Sequence, residues 1–253
     1  MTKIISVMTQ KGGVGKTTIV NGLAAVMHKQ GFKVLVIDMD PQGNLSFSMG
    51  ADTEHSATIY EALKGEIKTS FAIQHRSMAD IIPSNILLSG IELEFTGHGR
   101  EFILRRALDS LKGMYDYILI DSPPGLGILT VNSLAVADYV IIPMLPDIFS
   151  LQGVALVYET IEHVKNACNP DLKIAGILLN RFNPRFILSK EIYGTAELIS
   201  KNLNIPMFKT YIRNCIALSE AQSLQCDITS YARYSTGVKD FFSLVSELSE
   251  NGI

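Results

Sequence analysis

The chain has 253 residues, 47% of them apolar and 19% charged, which is ample for a sizeable core. Its net charge of -3 argues against wholesale nucleic-acid binding, though not against a local basic patch. Cys168, Cys215 and Cys226 form no CxxC pair and leave an odd count, so neither a disulfide framework nor a zinc site is indicated, and a reducing, cytoplasmic setting is expected.

The N-terminus, MTKIISVMTQKGG, has glycines where a signal peptide needs its apolar core. Strands are predicted at residues 4–8, 34–37, 79–82, 117–120, 139–142 and 174–179, each a short run of nearly continuous apolar residues. Strands covered on both faces have that pattern. Helical patterns at 17–30, 101–112, 152–166 and 189–202 fall between them, and a short helix at 58–63 interrupts the irregular stretch 51–77. The final segment, 239–253, mixes Phe241, Phe242, Leu244, Val245 and Leu248 with Asp240, Glu247 and Glu250. With Lys239 as its one cation it lacks the basic face of a membrane-surface helix, and it is expected to dock on the core. No apolar run approaches the roughly 20 residues of a membrane span. The βαβα rhythm predicts one α/β domain over residues 1–253, a doubly wound, mostly parallel sheet with helices on both faces.

Gln10-Lys11-Gly12-Gly13-Val14-Gly15-Lys16-Thr17-Thr18 follows the first strand and opens the first helix. Glycines let the backbone curl so that successive N–H groups point at phosphate oxygens, and the helix N-terminus adds its positive dipole end. Lys16 would reach the β- and γ-phosphates, and the Thr17 hydroxyl would ligate Mg²⁺. Where the common phosphate loop begins with Gly, this chain has Gln10, and a second lysine, Lys11, precedes the glycines. Two acidic stations end later strands: Asp38-Met39-Asp40-Pro41 and Asp121-Ser122-Pro123-Pro124-Gly125. Carboxyl ends of strands form the ligand crevice in such sheets. Asp121 is therefore expected to hold Mg²⁺ through water, with the stiff Pro-Pro-Gly turn sensing the γ-phosphate. No arginine finger stands out, and low intrinsic turnover is expected.

KGGVGKTT resembles the deviant Walker A ATPases, the family of ParA/Soj, MinD and the nitrogenase iron protein. The resemblance implies an ATP-bound sandwich dimer in which Lys11 crosses to the partner's nucleotide. It also assigns Asp40 to positioning the attacking water, Asp38 to a place near the metal, and Asn180 and Arg181 to the adenine. The stretch 212–221, IRNCIALSEA, and Ser235-Thr236-Gly237 resemble ParA/Soj sequences in particular, although Ile212 replaces the usual Pro. That likeness implies nonspecific binding of double-stranded DNA and a ParB-like activator that triggers hydrolysis, in plasmid or chromosome partition. Between Arg181 and Lys239 eight basic residues outweigh four acidic ones, so Arg185, Lys190, Arg213 and Arg233 are the candidate DNA contacts, Arg213 and Arg185 foremost. With the phosphate loop starting ten residues in, an N-terminal operator-reading module is not expected. A MinD-like ATPase at a membrane, or one that positions protein cargo, is the alternative reading. An iron–sulfur reductase is disfavoured, because the three cysteines lie outside the Pro-Pro-Gly turn.

Overall fold

The central strands are apolar at every position because helices cover them on both sides. In the computed structural model, which describes residues 2–253, the strands are β1 (Lys3–Val7), β2 (Val34–Asp38), β3 (Gln74–His75), β4 (Asp80–Ile82), β5 (Tyr117–Asp121), β6 (Tyr139–Met144), β7 (Lys173–Phe182) and β8 (Ile212–Arg213). They form one sheet in the order β3-β4-β2-β5-β1-β6-β7-β8. All ladders are parallel except the short β3–β4 pair. Along β2 the side chains alternate: Leu35 and Ile37 enter one core, Val34 and Val36 the other.

The helices are α1 (Lys16–Lys29), α2 (Asn44–Ser48), α3 (Ile59–Lys64), α4 (Ile91–Glu94), α5 (Ile103–Leu108), α6 (Ile128–Val136), α7 (Ile148–Ala167), α8 (Ile187–Leu203), α9 (Ile216–Ser223), α10 (Ile228–Tyr231) and α11 (Thr236–Glu250). Side chains of α3 to α8 bury against one face of the sheet, and those of α1, α2 and α9 to α11 against the other. Helix α11 docks on the core as expected: Phe241 is fully buried, and a Cβ at Gly22 of α1 would meet its ring at 2.3 Å. Phe242 instead lies 36% exposed.

Three differences from the sequence reading have local causes. The helix expected at 101–112 is broken into a 3-10 turn, the six residues of α5 and a second 3-10 turn, and the Leu104 N–H goes to the Asn132 side chain at 3.1 Å. Helix α6 escaped detection because ILTVNSLAV is buried over most of its surface and has no polar stripe to reveal a period. The short helix in the irregular stretch starts one residue late, since Thr58 is its cap, in a capping box with Glu61. Among the described residues no helix is long and apolar enough to cross a membrane.

The strand order reverses at β1, which lies between β5 and β6. Beyond the carboxyl end of such a strand the flanking connections diverge and leave a crevice.

Candidate nucleotide site

The loop joining β1 to α1 occupies that crevice. Gly13 (φ +75°) and Gly15 (φ +97°) are left-handed, and Gly15 is the N-cap of α1. A Cβ on Gly15 would come within 2.3 Å of the Asn180 amide, whereas Gly12 and Gly13 face open space on the ligand side. Val14 is buried, and its carbonyl accepts from Asn180 Nδ2 at 2.7 Å. The loop is thus anchored from β7 while its glycines stay bare. It borders a cavity of about 480 Å³ lined by Gly12, Gly13, Gly15, Lys16, Thr17, Thr18, Asp40, Gln42, Pro124, Arg181 and neighbours from α2 and α9.

Lys16 is 7% exposed. Burial lowers its pKa, and the charges of Asp121 and Asp40 pull the other way. A buried ammonium beside bare backbone N–H groups makes a strong anion seat. Thr17 Oγ1 donates to Asp121 Oδ2 at 2.7 Å, and Asp121 Oδ1 is buried with no protein partner. Burial, followed by the neighbouring Asp38 charge, raises the Asp121 pKa well above the usual carboxylate range. An orphaned carboxylate oxygen next to a threonine hydroxyl fits a hydrated divalent cation such as Mg²⁺.

Asp38 and Asp121 are register partners at the ends of β2 and β5. Asp38, expected near the metal, stands beside Asp121 with both carboxylate oxygens occupied by its own turn. Its Oδ2 accepts from the Ser46 N–H (2.8 Å) and hydroxyl (2.7 Å), and its Oδ1 from the Asp40 N–H (3.1 Å). It is fully buried, does not line the cavity, and holds the turn that presents Asp40. Asp40 does line the cavity; its Oδ1 accepts from the Gln42 N–H at 3.0 Å, and its Oδ2 takes no donor among the described residues.

Burial raises the Asp38 pKa to about 6, against 3.8 for the free side chain. A folded pKa above the unfolded one means that the native state binds the proton more tightly. The resulting stability is complete below about pH 4 and is lost as pH rises through about 6. Asp38→Asn, neutral throughout, is expected to give a shallower fall in the Tm of the ligand-free protein over that window. Equal slopes in melts at pH 4, 5 and 6 would refute the assignment.

Lys11 reaches back to Asp147, the N-cap of α7, at 3.0 Å, and lies 5.7 Å from the Phe149 ring centroid. Burial alone would raise the Asp147 pKa, but the Ser150 N–H, Lys11 and the Ser150 hydroxyl outweigh it and the net shift is downward. The D-x-x-S spacing before a helical run was the available signal for Asp147. Asn180, expected at the adenine with Arg181, is 3% exposed, its amide donating to the loop and accepting from the Arg181 N–H, and Arg181 lines the cavity.

Of the four candidate DNA contacts, Arg213 is the one held in an ion pair. Its guanidinium is bidentate on Asp240, with Nη2 at 2.6 Å from Oδ1 and Nε at 3.0 Å from Oδ2, and Nη2 also meets the Thr236 carbonyl. That bond, followed by the Asp240 charge, raises the Arg213 pKa. Asp240 follows Lys239 directly, and with it the local excess from Arg181 onward falls from +4 to +3 (eight basic against five acidic). Arg185, Lys190 and Arg233 are exposed and, among the described residues, form no ion pair.

The AAA domain family AAA_31 matches residues 2–174. Sporulation initiation inhibitor protein Soj of Bacillus subtilis (strain 168) is 37% identical over 258 aligned positions, covering 100% of both chains. Chromosome partitioning protein ParA of Myxococcus xanthus (strain DK1622) is 37% identical over 250 residues, 97% of this chain and 87% of the relative. Among solved structures, cobyrinic acid a,c-diamide synthase from Mycobacterium smegmatis, with bound ATP analogue and magnesium, superposes with a TM-score of 0.87 at 32% identity, covering 100% of this chain and 96% of that one.

Proposed function

Because the chain belongs to the AAA domain family AAA_31, as a deviant Walker A ATPase of the ParA/Soj type, we propose that it is an ATP-driven partition switch. ATP closes two copies into a sandwich dimer, the dimer binds DNA without sequence preference, and a ParB-like activator triggers slow hydrolysis and release. The observation that carries the ATPase reading is the cation seat, where Thr17 donates to Asp121 and the second carboxylate oxygen has no protein partner.

Each residue then has a task. Loop N–H groups and Lys16 would hold the β- and γ-phosphates, and Thr17 and Asp121 would hold Mg²⁺. When bound, Mg²⁺ supplies charge neutralisation across the phosphates. Asp40 accepts a hydrogen bond from the attacking water with its free Oδ2. Phosphoryl transfer is mostly positioning and charge stabilisation, so no strong base is needed. Lys11 exchanges Asp147 for the nucleotide of the other copy. An ion pair this exposed contributes about 0–1 kcal/mol, little to give up for a phosphate. Phe149, 73% exposed beside Lys11, supports a protein-covered face there.

Exposed Arg185, Lys190 and Arg233 support the DNA step, which two copies would strengthen. The test is binding to a random-sequence duplex with ATP, ADP or no nucleotide across a salt titration. Binding is expected only with ATP, weakening with salt, and about tenfold weaker in Arg185→Glu at low salt. Arg213→Glu is unsuitable, because it would set a second carboxylate against Asp240. Intact ATP binding with no DNA binding in any state would reject DNA-based partition and favour positioning of protein cargo or a membrane-associated partner.

A further inference from the structure

Helix α9 turns one polar face into the nucleotide cavity. Leu218 and Ala221 are buried in the core, whereas Ser219, Gln222 and Ser223 line the cavity wall. Their spacing of three and four residues puts them on one side of the helix. Gln222 is half-buried, and its Oε1 accepts from the Thr18 hydroxyl at 3.2 Å, which fixes the amide against the first turn of α1.

A nucleotide brings a charged part and a neutral part to this cavity. Lys16, Thr17 and Asp40, with Asp121 behind them, suit the phosphates and their cation. The α9 wall contributes no carboxylate and no cation, only two hydroxyls and an amide, which suits a base or a sugar. After the bond from Thr18, the Gln222 carbonyl keeps one lone pair, and Nε2 keeps its N–H donors. It therefore presents an acceptor and a donor side by side. Adenine carries the complement, an exocyclic amine next to a ring nitrogen, whereas guanine has a carbonyl where adenine has the amine. Asn180 is already committed to Val14 and Arg181.

We infer that Gln222 is the residue that reads the base and selects adenine over guanine. The inference rests on the ATP-site reading above. The sequence pattern did not single Gln222 out, because an uncharged residue 204 positions from its partner Thr18 carries no local signal.

The test is calorimetric binding of MgATP and MgGTP to the full chain, to Gln222→Ala, to Gln222→Glu and to Lys16→Ala as control. The wild-type chain is expected to prefer ATP. Gln222→Ala should weaken ATP about tenfold and leave GTP unchanged, so that the preference collapses. Gln222→Glu keeps an acceptor but loses the donor, and should also lose ATP affinity. Equal weakening of both nucleotides would mean that the Thr18 contact only shapes the helix, and would overturn the inference. No change in either variant would overturn it as well. Wild-type protein that binds no better than Lys16→Ala would remove the ATP-site reading itself, which separates the two failures.

Discussion

Lys16→Ala is expected to reduce MgATP binding by about a hundredfold or more. The residue is a buried ammonium, 7% exposed, at the mouth of a loop whose other groups are uncharged N–H donors. A hydrogen bond to a charged group contributes about 1.5–3 kcal/mol, and its loss here leaves the phosphates without the ammonium that offsets the Asp40 carboxylate. Alanine has the space and the helix propensity, so folding should survive, and a melt of the ligand-free variant checks that. Titration with MgATP reads the effect, and undiminished affinity would remove the phosphate-loop assignment. Lys11→Ala is the informative contrast. Lys11 sits outside the cavity on Asp147, so its loss should leave binding to a single chain intact and abolish the ATP-dependent dimer in light scattering. An unchanged dimer would reject its contact in trans.

Asp40→Ala carries the second large effect, and it falls on turnover. Asp40 has one oxygen tied to Gln42 and the other free in the cavity, at the end of a turn that Asp38 and Ser46 hold rigid. Removing a preorganised water-orienting group of this kind costs about a hundredfold or more in rate. ATP affinity should be kept or slightly improved, since a carboxylate leaves the neighbourhood of the phosphates. The expected product is a persistent ATP-bound dimer, visible in light scattering, with phosphate release near background. Normal phosphate release would assign water positioning elsewhere. Asp40→Asn separates charge from geometry, because the amide keeps an acceptor oxygen.

The α/β class and the crevice were legible because they rest on short-range regularities. Apolar runs of four to six residues mark strands buried on both faces, and the glycine–lysine–threonine run lies between a strand and a helix with no long-range contact needed to recognise it. Asp40 and Asp121 followed, since strand ends converge on the crevice. Helix α6 did not, because a helix buried nearly all round has lost the periodicity by which it would be recognised.

Residue types and chain order by themselves determined the doubly wound sheet, the phosphate loop and the strand-end carboxylates. Tertiary structure alone decided what each charged or amide group does there. Packing brings Asp147 to Lys11 across 136 residues, Asn180 to Val14 across 166 and Gln222 to Thr18 across 204, and it sets Asp240 against Arg213. A backbone loop is encoded locally because its shape depends on the φ and ψ angles of consecutive residues. A side chain's role depends on which partner the fold delivers within hydrogen-bonding distance, and neither the Asp240 partner of Arg213 nor the Val14 partner of Asn180 can be read from neighbouring residues.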